Sequence, residues 1–157
     1  MTRRKRISPI QKHKGQFRQG VYTPKHPHKY RGDVSNVVYR SSWELRFCEF
    51  CDNNPNMISW SSEEVVVPYI KPTTGRVHKY YVDFFVEYVN KAGEVVTEIV
   101  EIKPSNQTSP STARRAKTRV YENMVYDVNN AKWKAAQMYA AERGWKFRII
   151  TELALFR

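Results

Sequence analysis

The chain has 157 residues, 41% of them hydrophobic, which suits one domain around a single core. No apolar run approaches the roughly 20 residues of a membrane span, the basic N-terminus lacks the apolar stretch expected of a secretory signal, and two cysteines are too few for a disulfide framework. The net charge of +12 is unevenly divided: residues 1–31 contribute +10 with no acid, residues 32–110 contribute −4, and residues 111–157 contribute +6. An acidic centre between basic flanks suits carboxylates that hold a cation beside flanks that hold a polyanion, whereas a protein that only coats DNA has no electrostatic use for the acids.

Residues 1–31 carry Arg3-Arg4-Lys5-Arg6, then Lys12, Lys14, Arg18, Lys25, Lys29 and Arg31, with Pro9, Pro24 and Pro27 among them. Without hydrophobic periodicity this reads as a flexible basic arm that binds DNA or a partner, ahead of a domain over 32–157. A solubilising tail is the plainer alternative, but like charges at this density repel one another unless a polyanion is near. Residues 41–52 predict a short helix capped by Ser41 or Ser42, with Trp43, Phe47, Phe50 and Cys51 as its buried stripe. Glu44 lies beside that stripe. Ser41-x-x-Glu44 also has the spacing of a capping box, so capping and metal ligation compete for this carboxylate.

Three strands are expected next. Glu63–Ile70 is rich in Val, the turn residues Pro72-Thr73-Thr74-Gly75 return the chain as a strand over Val77–Val89, and Asn90–Gly93 leads to a third strand over Glu94–Lys103, ended by Pro104. Ser105–Thr112 reads as a polar loop beside the end of that strand. Ala113–Arg143 turns helical, with Val120, Met124, Val128, Trp133, Ala136, Ala140 and Ala141 as its apolar face and a break or kink expected at Asn129-Asn130. Its first turns hold Arg114, Arg115, Lys117 and Arg119. Cations there oppose the helix dipole, which points to a phosphate partner. Gly144 fits a C′ position, and Trp145–Thr151 reads as a fourth strand buried through Phe147, Ile149 and Ile150. A strand reached through a helical crossover lies parallel to its neighbour, so the sheet should be mixed, in an α/β (α+β) fold with helices on its flanks.

The strands carry Asp83, Glu101 and Lys103 into apolar company, and each ion taken out of water costs several kcal/mol unless paired or bound to a metal. Alternation puts Glu101 and Lys103 on one face and turns Glu98 to the other. Asp83 is expected in mid-strand, where antiparallel pairing could set it beside Glu101. Two close carboxylates repel unless a cation or proton lies between them. Mg²⁺, or Mn²⁺ in its place, suits such an oxygen-ligand pair, and Lys103 could orient water or stabilise charge on a reacting phosphate. A buried ion pair of Lys103 with a carboxylate is the competing reading.

Asp83 followed by Glu101-x-Lys103 after a hairpin, with Glu44 on a preceding helix, resembles the PD-(D/E)xK nuclease superfamily. Arg40-Ser41-Ser42-Trp43-Glu44 further resembles the TnsA-type endonucleases. Together with Ser62-Glu63-Glu64, Tyr81-Val82-Asp83-Phe84-Phe85, Glu101-Ile102-Lys103-Pro104 and Lys132-Trp133-Lys134-Ala135, the chain is similar over about residues 20–152 to the head-completion nucleases of T-even-like tailed phages. Val82 stands where the superfamily motif has Pro. The resemblance implies a restriction-endonuclease-like core in the order helix, three-stranded meander, helices, strand. It also implies a Mg²⁺-dependent DNA endonuclease with Asp83, Glu101 and Glu44 on the metal and Lys103 in catalysis. The implied setting is head completion after genome packaging, in the virion or the infected cytoplasm, with portal or other head and neck proteins as partners and no membrane. A catalytically silent virion protein and a transposon-end or junction-cleaving nuclease are the alternatives. Cys48 and Cys51 with His26 and His28 form a weaker zinc candidate, since a lone CxxC within an amphipathic helix is usually two small buried residues. His78 reads as a surface histidine, and Trp60, Trp133 and Trp145 read as core.

Overall fold

A four-stranded mixed sheet organises the computed structural model, which describes residues 19–155. In chain order the strands are β1 (Gly20–Tyr22), β2 (Val37–Tyr39), β3 (Met57–Ser62), β4 (Val66–Ile70), β5 (Val77–Tyr81), β6 (Phe84–Val89), β7 (Val95–Ile102) and β8 (Lys146–Ile150). The α-helices are α1 (Ser42–Asn53), α2 (Ala116–Glu142) and α3 (Glu152–Leu155). The main sheet runs β3-β6-β7-β8: the first three strands are antiparallel, and β8 returns parallel to β7 after α2. This is the α+β, restriction-endonuclease-like order expected from the sequence. Among the described residues no helix is long and apolar enough to cross a membrane.

The first strand of the meander is Met57–Ser62, where the sequence pointed to Glu63–Ile70. β3 lacks an apolar signature because Ser61 and Ser62 are buried beside Trp60. Ser62 satisfies its polar groups there, donating its hydroxyl to the Val38 carbonyl at 2.5 Å and its amide to the Tyr30 hydroxyl at 3.1 Å. β4 and β5 form a separate antiparallel hairpin that leaves the sheet between β3 and β6. The long strand expected over Val77–Val89 is therefore two strands, β5 and β6, broken at Val82-Asp83.

β6 and β7 are apolar on both faces, as strands covered on both sides must be. Phe84, Val86, Val100 and Ile102 pack with Trp60 and with Phe47, Cys48 and Cys51 of α1. Phe85 and Ile99 pack on the opposite face with Val67 and Tyr80 of the hairpin and Trp133, Ala136 and Ala140 of α2. Phe50, placed in the α1 stripe by its spacing, is 55% exposed at the edge of that stripe. Cys48 and Cys51 are buried in this core without a disulfide, and among the described residues they form no metal-holding group with His26 and His28.

α2 runs without interruption through Asn129-Asn130 for 27 residues, because packing of its C-terminal half overrides the local breaking signal. Its first half stands clear of the core: Val120 is 69% and Met124 44% exposed, contrary to the apolar face read from their spacing, and Ala141 is exposed as well. The helix ends as expected at Gly144, whose φ is 72°. The Gly144 amide donates to Ala141 at 3.1 Å and the Trp145 amide to Ala140 at 2.8 Å, a Schellman termination.

Residues 19–31 are docked onto the domain and are not part of a free arm. β1 pairs with β2, and Asp52 of α1 accepts hydrogen bonds from the Tyr22 hydroxyl at 2.6 Å and from the Lys25 and His26 amides at 2.7 and 2.9 Å. Residues 1–18, with Arg3, Arg4, Lys5 and Arg6, lie outside the described residues.

Candidate active site

The hairpin's departure from the sheet builds the site. Where it leaves, the Glu63 amide donates to the Asp83 carbonyl at 3.1 Å and the Val82 amide to the Val65 carbonyl at 3.1 Å. Asp83 therefore lies at a bend just before β6, and not in mid-strand as expected. Phe84 pairs with Val100, so one further step of the same register sets Asp83 opposite Glu101. The Asp83 carboxylate accepts the Ile102 amide at 2.8 Å, which ties it to β7. Glu101 is buried, accepts a short hydrogen bond from the Tyr80 hydroxyl, and has the Lys103 amine 3.6 Å from its other oxygen. Three of the four expected site residues are thus brought together at one end of the two central strands.

Asp83 keeps part of its surface open but sits deep among protein atoms. Burial, then the neighbouring Glu101 and Glu44 carboxylates, push its pKa well above the ordinary range, against the pull of the Ile102 amide and Lys103. The Tyr80 phenol is likewise pushed up by burial and by Glu101 and Asp83, so it stays a proton donor to Glu101.

Glu44 joins the cluster from the first turn of α1. Ser41 is the N-cap, accepting the Glu44 amide at 3.1 Å. The Glu44 carboxylate reaches back to the Arg40 amide at 3.0 Å, one residue before the cap, so half of a capping box is formed and the reciprocal bond is displaced. That bond engages Oε2. Burial pushes Glu44 up to about 7; the Arg40 amide opposes this, and Glu63 and Glu101 reinforce it. Capping and membership of the acid cluster coexist.

Arg40 and Glu63 are the residues the sequence reading missed. The Arg40 guanidinium clamps Glu63 at 2.7 and 3.2 Å, while its backbone amide holds Glu44. Glu63 is 4% exposed and has φ 55°, the left-handed region that non-glycine residues avoid. Such a conformation costs about 1–3 kcal/mol and persists only where the surroundings over-determine it. Here the bidentate ion pair and the bond to Asp83 do so. The available signal was Arg40 and Glu63 standing within two of the quoted motifs, each close to an acid in a region of net negative charge.

Among the described residues, no three His, Cys, Asp or Glu side chains are placed to hold one ion together. A hard cation such as Mg²⁺ usually takes only one or two carboxylates and keeps several waters. Asp83 and Glu101, facing each other with the Lys103 amine beside Glu101 and the Arg40 guanidinium already engaged by Glu63, fit that requirement. Glu98 is turned away as expected and is occupied by the Tyr88 hydroxyl and by Arg148 at 3.2 Å. Arg114, Arg115, Lys117 and Arg119 are exposed around the start of α2, at the far end of the loop that follows Lys103.

A mixed sheet flanked by helices, with Asp83, Glu101 and Lys103 gathered at one end of its central strands, defines a nuclease of restriction-endonuclease-like fold. Residues 54–152, which include those three residues but not Glu44, match the family described as TnsA-like endonuclease N terminal, and the chain belongs to that family. It is also 40% identical over 139 residues, 85% of this chain and 90% of the relative, to the head completion nuclease of Enterobacteria phage T4. No solved structure matches the chain.

Proposed function

We propose that this chain is a divalent-metal-dependent DNA endonuclease that acts in completion of a phage head. The observation that carries this reading is the Asp83 and Glu101 carboxylates meeting across the end of β6 and β7, with the Lys103 amine 3.6 Å from Glu101. Asp83 and Glu101 would hold Mg²⁺ or Mn²⁺, with Glu44 alongside. The bound cation would supply Lewis acidity to a phosphate oxygen and lower the pKa of a water. Lys103 contributes a positive charge at the rim, where it can orient a phosphate or the attacking water. Tyr80 holds the Glu101 carboxylate in place, and the Ile102 amide does the same for Asp83. In the hydrolysis, a P–O bond to the water oxygen forms as one P–O ester bond of the backbone breaks, and the leaving oxygen takes a proton. The exposed arginines and lysine around the start of α2 and the basic residues 3–6 would hold flanking phosphates, with affinity that falls as salt rises. The setting in head completion rests on the similarity to the T4 protein.

Purified protein should nick supercoiled plasmid when Mg²⁺ is supplied, and Asp83→Asn and Lys103→Ala should abolish nicking while circular dichroism stays unchanged. Folded variants that cut at the wild-type rate would overturn the site. Full rescue of head assembly by Asp83→Asn would instead favour a structural head protein. Selective cutting of branched over linear DNA would favour a junction nuclease of the same family.

A further inference from the structure

The loop that follows Lys103 is pinned at both ends. At its start, the Ser105 amide donates to Glu152 of α3 at 2.9 Å and the Ser105 hydroxyl donates to the same carboxylate. At its end, the Ser111 amide donates to Asn123 and its hydroxyl to Glu122, both at 2.7 Å. Between these anchors and α2 lies a cavity of about 340 Å³, lined in part by Asn106, Gln107, Ser109, Tyr121, Tyr126 and Asn129. Asn129, 8% exposed, lines this cavity from the middle of α2. An amide in mid-helix gains nothing from helix formation. Placed here, it gives the cavity wall a donor and an acceptor for the edge of a ligand.

We infer that this cavity receives one unpaired nucleobase of the DNA substrate, next to the scissile phosphate. The chemistry separates base from phosphate. The lining is made of neutral amides, hydroxyls and two phenol rings, which bond to base edges and stack on base faces. Its one charged group, Glu122, is engaged by Ser111 and would repel a phosphate. The cations Arg114, Arg115, Lys117 and Arg119 stand outside the lining, around the start of the same helix, where the strand's phosphates would run. The volume is at the small end for ligand pockets, matching a single base and excluding a duplex. Pinning at Glu152 and at Glu122-Asn123 holds the pocket wall before the substrate arrives, and the wall begins at Asn106, three residues beyond Lys103.

This inference rests on DNA being the substrate, and its test separates the two claims. Full-length Asp83→Asn protein is titrated with three short duplexes: fully paired, carrying one bulged 2-aminopurine, and carrying an abasic bulge. The 2-aminopurine duplex should bind about tenfold more tightly than the other two, with a change in its fluorescence as the base stacks. Adding Asn129→Leu, or Tyr121→Ala at a 63% exposed position that does not threaten folding, should bring the affinity ratio close to one. Equal binding of all three duplexes, equal binding of the abasic and 2-aminopurine bulges, or a ratio that survives both substitutions overturns the pocket while leaving the nuclease reading intact. Binding of none of the three overturns both.

Discussion

Asp52 and Asp83 are two acids held inside one small domain on opposite terms. Asp52 is fully enclosed and receives three donors, from Tyr22, Lys25 and His26. Burial alone would raise its pKa, but those three hydrogen bonds outweigh it and hold the carboxyl below the ordinary range. Asp83 is partly open, receives one donor from Ile102, and is pushed the other way by burial and by Glu101 and Glu44. Depth does not set which way a buried acid is pushed. The balance of donors against like charges does: the first acid is satisfied within the fold, and the second is crowded by like charges with a single donor to offset them.

The largest effect expected from this contrast is on activity. Asp83→Asn should lower plasmid nicking by more than about 100-fold, the scale of losing a Lewis-acid contact, while leaving the thermal midpoint unchanged or raised. Asp52→Asn should do the reverse. It is expected to lose about 2–3 kcal/mol in denaturant unfolding, the scale of hydrogen bonds to a charged group, with turnover per folded molecule retained. A folded Asp52→Asn protein that fails to cut, or an Asp83→Asn protein that fails to fold, would break the contrast.

Next in size is Arg40→Ala. It strands Glu63 without its counter-charge in a strained backbone conformation and should cost about 3 kcal/mol in urea unfolding. Arg40→Lys should recover only part, since an amine cannot make the two-pronged contact.

The third expectation concerns pH, with metal chelated. Glu44 and Asp83 have folded pKa values above their unfolded ones, so their contribution is complete below about pH 4 and is lost as pH rises, for Glu44 through about 7. Asp52 has the opposite sign, and its contribution is lost as pH falls below the ordinary carboxylate range. The thermal midpoint should therefore fall between pH 5 and 8 by the equivalent of about 2 kcal/mol, reduced from the full linkage value because Glu44 is partly open. Asp83→Asn should flatten that limb, and Asp52→Asn should flatten the acid limb instead. The smallest effect is stabilisation by Mg²⁺, about 1.4 kcal/mol at ten times its Kd. It should be larger at pH 8 than at pH 6 and absent in Asp83→Asn, as read by calorimetry.

The parts of the molecule legible in the sequence are those governed by short-range periodicity. Two-residue alternation placed Glu101 with Lys103 and set Glu98 aside, and the turn residues at 72–75 and 90–93 marked both hairpins. What stayed hidden depends on contacts distant in the chain. β3 passes for a loop because Ser61 and Ser62 are satisfied by Val38 and Tyr30 far upstream. No turn residue marks the bend at Asp83, because the hairpin leaving the sheet creates it. Asn129-Asn130 reads as a break because the Trp133 and Ala136 packing that holds the helix together involves the hairpin and sheet. That Glu44 sits near the other acids while its carboxylate is tied to the helix start is visible only in the Arg40 amide, which takes the carboxylate bond that the Ser41 amide was expected to receive.

The connection of Ser105 to Glu152 has a consequence for how the protein is made. β7, which carries Glu101 one residue before its end and leads into Lys103, gains its outer neighbour only when residues 146–150 pair with it, and the start of the loop beyond Lys103 gains its anchor only from residue 152. A domain folds as a unit once its chain has left the ribosome. The candidate site would thus be enclosed only after residue 152 has emerged.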